Sequence, residues 1–118
     1  MQRISNCQPS VSATGTYCTL QADSPAAFIP GNKMYHGSIF ASATINIVAS
    51  AGVTAGTVQP LVMMSDGVLR AYGAPLSLTS AGAQPLIQIG TPIMGAAVQI
   101  TGTITGGTIA IDITVAQL

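Results

Sequence analysis

The stretch "VQITGTITGGTIAIDITV", residues 98–115, decides the fold. It holds one formal charge, Asp112, and its apolar residues recur at alternate positions: Val98, Ile100, Ile104, then Ile109, Ile111, Ile113 and Val115. That two-residue period belongs to a pleated strand with one buried face. Gly106-Gly107 interrupts it, and a Gly pair suits a two-residue turn because both positions tolerate positive φ. The expectation is a C-terminal hairpin over 97–116 with Thr105 opposite Thr108. In that register Ile104 meets Ile109, Gly102 meets Ile111, Ile100 meets Ile113, and Val98 meets Val115. Every Ile and Val then shares one face, and a one-residue slip would turn them all to solvent.

The same logic extends outward. "SIFASATINIVAS" carries apolar residues at odd positions and predicts a long strand. "QPLVMMSDGVLRAYG" predicts a second hairpin, with Asp66-Gly67 as a type I′ turn, Met64 opposite Leu69 and Met63 opposite Arg70. One face of that hairpin carries Val62, Met64, Leu69 and Ala71. The other, Leu61, Met63, Arg70 and Tyr72, is hardly more polar. A hairpin apolar on both faces must be covered on both, so Leu61, Met63, Arg70 and Tyr72 are the candidate subunit-contact face. A second layer of the same sandwich is the alternative cover. Asp66, Gly67, Gly106 and Gly107 are the structural turn residues.

Shorter strands are expected at Tyr17 to Ala22, Leu76 to Thr79 and Pro85 to Ile89, with a strong turn at Pro30-Gly31-Asn32. About eight strands at short spacing, with no sustained helical period, predict an all-β fold: an antiparallel β-sandwich of jelly-roll-like form. Residues 1–10 read as an N-terminal arm or edge segment, and 11–118 as a single β-sandwich domain.

Composition narrows the function. The 118 residues are 48% hydrophobic but only 5% charged, with three cations against three anions and no Trp. A typical soluble domain is about a quarter charged. Low charge with zero net charge gives little repulsion between copies, which favours a domain packed against neighbours. Arg3, Lys33 and Arg70 build no phosphate-neutralising stripe, so nucleic acid is not expected as a partner. "MQRISNCQPS" has no apolar stretch behind Arg3 and does not read as a signal peptide. The charge-free run from Gly37 to Ser65 alternates Ser42, Thr44 and Asn46 with Ala43, Ile45 and Ile47. It predicts a half-buried strand, with no membrane span.

Catalytic chemistry has little material. His36 is the one histidine, and neither a nucleophile nor an orienting acid is positioned beside it by spacing. Asp23, Asp66 and Asp112 fall on separate elements, so no carboxylate pair is expected. Two cysteines and one histidine far apart make no metal pattern, and the glycines form no phosphate cradle. No enzyme activity, metal or cofactor is expected. Cys7 and Cys18 are compatible with a disulfide if their segments pair, and equally with two free thiols. Met63-Met64 suits a core or an adaptable contact surface. Tyr35, Phe40 and Tyr72 suit core anchors or, as the alternative, a sugar site.

The closing segment "GAAVQITGTITGGTIAIDITVAQL", together with the Ser/Thr/Ala/Gly-rich and nearly chargeless composition, resembles the small head-decoration, cement and head-fibre proteins of tailed bacteriophages. The likeness covers about 25 residues, and the chain departs from that type in its unusually low charge. The resemblance implies a β-rich homo-oligomer, often a trimer, that binds copies of itself and the major capsid protein on the capsid surface of a virion made in a bacterial cytoplasm. It carries no catalytic residues. The alternative function is a receptor- or carbohydrate-binding β-module of a tail fibre or adhesin.

Overall fold

The computed structural model describes residues 2–21, 40–64 and 66–117. Ten strands run through them: β1 (Gln2–Val11), β2 (Gly15–Gln21), β3 (Phe40–Ala49), β4 (Ala55–Met63), β5 (Leu69–Ala71), β6 (Leu76–Ser77), β7 (Gly82–Ala83), β8 (Ile87–Ile89), β9 (Gly95–Thr105) and β10 (Ile109–Gln117). No helix occurs among the described residues.

The strands form two antiparallel sheets. The first runs β1-β10-β3, with β7 and β8 both pairing β3; the second runs β2-β9-β4, with β5 and β6 both pairing β4. Taking β5 with β6 and β7 with β8 as two interrupted strands leaves eight. The successive pairs β1/β2, β3/β4 and β9/β10 then occupy corresponding places in the two sheets. That is the ordering of a jelly-roll sandwich, as the strand count and alternation predict.

The closing ladder is not a hairpin, and here the structure corrects the sequence reading. β9 pairs β2 and β4 in one sheet, while β10 pairs β1 and β3 in the other. The chain turns at Gly106-Gly107 and crosses between sheets as an arch. Alternation alone fixes only which side chains share a face. A hairpin would lay the two apolar faces side by side and leave them to be covered by something else. The arch presses them against each other, and Val98, Ile100, Ile104, Ile109, Ile111, Ile113 and Val115 are all buried. Fully burying such a side chain stabilises by roughly 1.5–3 kcal/mol. Phe40, Ile45, Ile47, Val58, Leu78, Ile89 and Ile93 complete the inter-sheet core.

Three arches stack at one end of the sandwich, at 12–14, 50–54 and 106–108. Ile104 N–H donates to Ser12 O at 2.9 Å, Thr54 N–H to Thr105 O at 3.0 Å, and Ser50 N–H to Thr108 O at 2.9 Å. Ser50 Oγ accepts from Thr108 N–H at 3.0 Å, and Ser10 Oγ bonds Thr108 Oγ1 at 3.1 Å. Only Gly106 of the expected Gly pair has positive φ, at 90°, so the pair does not form a two-residue turn with both positions at positive φ.

Candidate functional site

Asp66 and Gly67 do turn the chain, one residue out of the expected register. Gly67 N–H donates to Met64 O at 3.1 Å, Val68 N–H to Asp66 Oδ1 at 3.1 Å, and Gly67 has φ of 75°. The turn carries a left-handed Gly and is held by an Asp side chain that bonds two residues on. The pairs are therefore Leu61↔Ala71, Val62↔Arg70 and Met63↔Leu69.

That slip splits the expected contact face, since a change of one residue exchanges faces. Leu61 and Met63 lie on the outer face of the second sheet, beside Ala97 and Gly95, and are 7% and 4% exposed within the single chain. Arg70 falls in the row of Val62 and is exposed, ion-paired with Asp66. Tyr72 donates its N–H to Pro60 O at 2.8 Å and packs against the inter-sheet core. Leu61, Met63, Arg70 and Tyr72 do not form one surface.

The remaining polar candidates separate as well. His36, Tyr35, Asp23 and Lys33 lie outside the described residues. Phe40 is fully buried, Met63 is buried, and Met64 is exposed beside the Asp66 turn. Cys7 and Cys18 are both free, Cys7 exposed and Cys18 buried. Cys18 has φ of 59° at a bulge between Tyr17 and Leu20. The extra residue turns Cys18 inward along with Tyr17, and its Sγ–H donates to Ile111 O at 3.6 Å. Burial first, then Cys7 and Asp112, pushes the Cys18 thiol up to about 11. A thiol held protonated in this way is a poor nucleophile. Among the described residues no cluster of His, Cys, Asp or Glu is able to hold a metal, and no helix is long and apolar enough to cross a membrane.

What the structure does assemble is a broad outer face on the first sheet. Rows run across it as Ser5–Thr114–Thr44–Gln88 and Cys7–Asp112–Asn46, with Ala110–Val48–Ala83 beyond. Thr44 Oγ1 bonds Gln88 Oε1 at 3.3 Å. A shallow depression of about 410 Å³ lies over Ser5, Cys7, Asn46, Val48 and Asp112. Arg3, in the next row with Ala116 and Ser42, and Asp112 are the two charged residues in these rows. Sequence reasoning passed this face over because the polar half of "TINIV" and "IDITV" reads simply as the solvent side. Its signal was the near absence of charge there. A second, apolar groove of about 240 Å³ opens between the broken edge strands, over Pro60, Tyr72, Pro75, Pro85 and Leu86.

The fold and these neutral faces define a jelly-roll β-sandwich with no assembled catalytic centre among its described residues. No protein-family model matches the chain, and no curated protein does. Among solved structures it is similar to YomS, a protein derived from the SPBc2 prophage. The TM-score is 0.59 at 11% identity, over 98% of this chain and 94% of that one. It is also similar to a subunit of Bacillus endospore appendages, a family of disulfide-linked pili (TM-score 0.48, 10% identity, 99% and 88% covered). Tobacco streak virus coat protein follows with TM-score 0.44 at 11% identity, over 98% and 84%. At these identities the likeness is one of fold.

Proposed function

We propose that this chain is a non-enzymatic structural subunit of a phage virion, a decoration or cement protein that binds copies of itself and the major capsid protein on the capsid surface. The observation that carries this reading is the neutral outer face of the first sheet, where Ser, Thr, Asn and Gln stand in rows nearly free of charge. A solitary soluble domain ordinarily keeps a charged surface that repels its own kind. Rows of small, uncharged, hydrogen-bonding side chains instead suit close contact with a neighbour. Each contact is modest, and repetition over a symmetric shell supplies the avidity. The fold likeness to a prophage-derived protein supports the phage setting. On this reading the chain is made in a bacterial cytoplasm and ends on the particle.

Immunogold electron microscopy of particles from producing cells tests it. Gold on the capsid shell is the expected result. Unlabelled particles in a culture that holds the protein free in solution would remove the reading.

A further inference from the structure

We propose that β1 is a docking edge for β1 of a second copy, the two strands pairing antiparallel about a two-fold axis at Ser5 and joining their first sheets into one. This deepens the structural-subunit reading above and rests on it.

The phase of the hydrogen bonds shows which groups of β1 are free. Ser50 N–H donates to Thr108 O, and Thr108 N–H donates to Ser50 Oγ. Residue 108 therefore turns its main-chain groups towards β3. Bonding direction alternates along an antiparallel strand, so Ala110, Asp112 and Thr114 also face β3, while Ile111, Ile113 and Val115 face β1. Gln84 N–H bonding Ile47 O at 2.9 Å, on the far side of β3, agrees in phase. The β1 partners of Ile111, Ile113 and Val115 are Gln8, Asn6 and Ile4. Those residues are bonded into the sheet, which leaves Arg3, Ser5 and Cys7 with N–H and C=O pointing away from it.

Among the described residues no main-chain group meets this outward row, and Ser5 to Ser10 are all exposed. Pro9 is next in the row and has no N–H to offer, which is where an edge strand tolerates proline. An unpaired edge of this kind is a template for another strand.

Three observations point to a second copy as the occupant and fix the register. The outward donors are Arg3, Ser5 and Cys7, with Pro9 closing the row, so pairing centred on Ser5 uses all of them. Ser5 then meets Ser5 of the second copy, and Arg3 meets Cys7 of the second copy. A register centred on Cys7 would set Ser5 against Pro9 and lose bonds. Next, Cys7 pairs Asp112, so the Ser5 register sets Arg3 of each copy opposite Cys7 of the other, and no like charges stand directly opposite each other. Finally, the rows of the outer face carry no other formal charge, so two first sheets extend into one without repulsion. A strand-to-strand contact is small beside a standard interface, so the dimer is concentration-dependent in solution and is strengthened by repetition on a shell.

The test uses the full chain. Sedimentation velocity over rising concentration is expected to show a monomer passing to a dimer. Ser5→Pro removes an outward N–H and none that bonds β10, so it is expected to melt like the parent and stay monomeric. As a second variant, Ser5→Cys in a Cys7→Ser background sets two thiols opposite each other at about 5.5 Å between Cα atoms, within disulfide range, and is expected to cross-link under mild oxidation. The parent Cys7 thiols would lie about 14 Å apart along the strands and are expected not to cross-link with each other. A chain that stays monomeric and leaves the Ser5→Cys variant uncross-linked overturns the proposal. So does a dimer that survives Ser5→Pro, or one that cross-links through Cys7. Self-association indifferent to these variants removes the β1 edge while leaving the structural-subunit reading intact. Unlabelled particles with the β1 dimer present do the reverse.

Discussion

Gly52 and Gly106 meet backbone to backbone where two arches stack: a Cβ on Gly52 would lie 2.8 Å from Gly106 O, and one on Gly106 would overlap Gly52 O. Both have positive φ, 96° and 90°. Alanine at either site meets two penalties, a left-handed backbone costing about 1–3 kcal/mol and an overlap with main chain that cannot swing aside. Gly67, with φ of 75° and nothing within 4 Å of its Cβ position, meets only the first. Thermal unfolding is expected to rank Gly106→Ala and Gly52→Ala well below Gly67→Ala, by several degrees. Equal losses at all three would mean that the arches do not touch.

Gly107 tests the neighbouring contact. Its φ is not positive, so a β-branched residue there does not face a left-handed backbone. Its Cβ would instead run into Ser50 Oγ and lie 3.0 Å from Val53 Cγ2. Gly107→Val is expected to displace the Ser50 hydroxyl from Thr108 N–H and to cost about 1–3 kcal/mol. In a Ser50→Ala background, which has already lost that bond at about 1 kcal/mol, the added cost of Gly107→Val is expected to shrink. Denaturant melts of the two single variants and the double variant measure the coupling.

The thiols give a pH and reactivity prediction. The folded pKa of Cys18 is raised from 9.0 to about 11, chiefly by burial. Folding thus favours the neutral thiol. Its contribution to stability is fully present below pH 9 and is lost as pH climbs through 9 towards 11. Cys18→Ala is expected to flatten the fall in stability over that window. Cys7 is exposed and Cys18 buried, so the native chain is expected to take one equivalent of an alkylating reagent, with the second equivalent taken only in denaturant. Two equivalents taken at one rate in the native state would contradict the burial of Cys18.

The all-β class, the sandwich form and the core were legible because alternation reports burial directly: Ile109, Ile111, Ile113 and Val115 could face only one way. Which strand pairs which was not legible. Side-by-side and face-to-face burial satisfy the same pattern, and the choice rests on long-range contacts such as Ser50 with Thr108. The Asp66-Gly67 turn was visible by its residue types. Its register was not, because loops of different lengths accept Asp-Gly, and the one-residue shift to Met63↔Leu69 dissolved the contact face built on Leu61, Met63, Arg70 and Tyr72. The outer face of the first sheet needed the pairing of β1, β10 and β3 before its rows could be seen.

Asp66 and Arg70 are both exposed, so their ion pair contributes little. Arg70→Ala is expected within about 0.5 kcal/mol of the parent and to be insensitive to salt. Asp66→Ala also removes the acceptor for Val68 N–H at 3.1 Å and is expected to cost about 0.5–1.5 kcal/mol. Asp66→Asn keeps an acceptor at that position and is expected to recover most of the loss. Chemical denaturation of the three variants separates turn from charge. A loss at Arg70→Ala equal to that at Asp66→Ala would assign the effect to the ion pair instead.

The arch between β9 and β10 is open to a direct test by paired cysteines in a Cys7→Ser background. In a hairpin about Gly106-Gly107, Gln99 and Thr114 would be cross-strand neighbours, about 4.5–5.5 Å apart between Cα atoms and within bridging range. In the arch they belong to different sheets: Gln99 pairs Gln59 in the second, and Thr114 pairs Thr44 in the first. Packed sheets stand about 10 Å apart, beyond the reach of a disulfide. Thr44→Cys with Thr114→Cys is therefore expected to bridge on mild oxidation without loss of stability. Gln99→Cys with Thr114→Cys is expected to remain reduced, or to bridge only between molecules. Thiol counting and non-reducing electrophoresis distinguish the two patterns. An intramolecular bridge in the Gln99→Cys, Thr114→Cys variant, formed in the native state, would restore the hairpin and undo the jelly-roll assignment, because β10 would then lie beside β9 and no longer between β1 and β3.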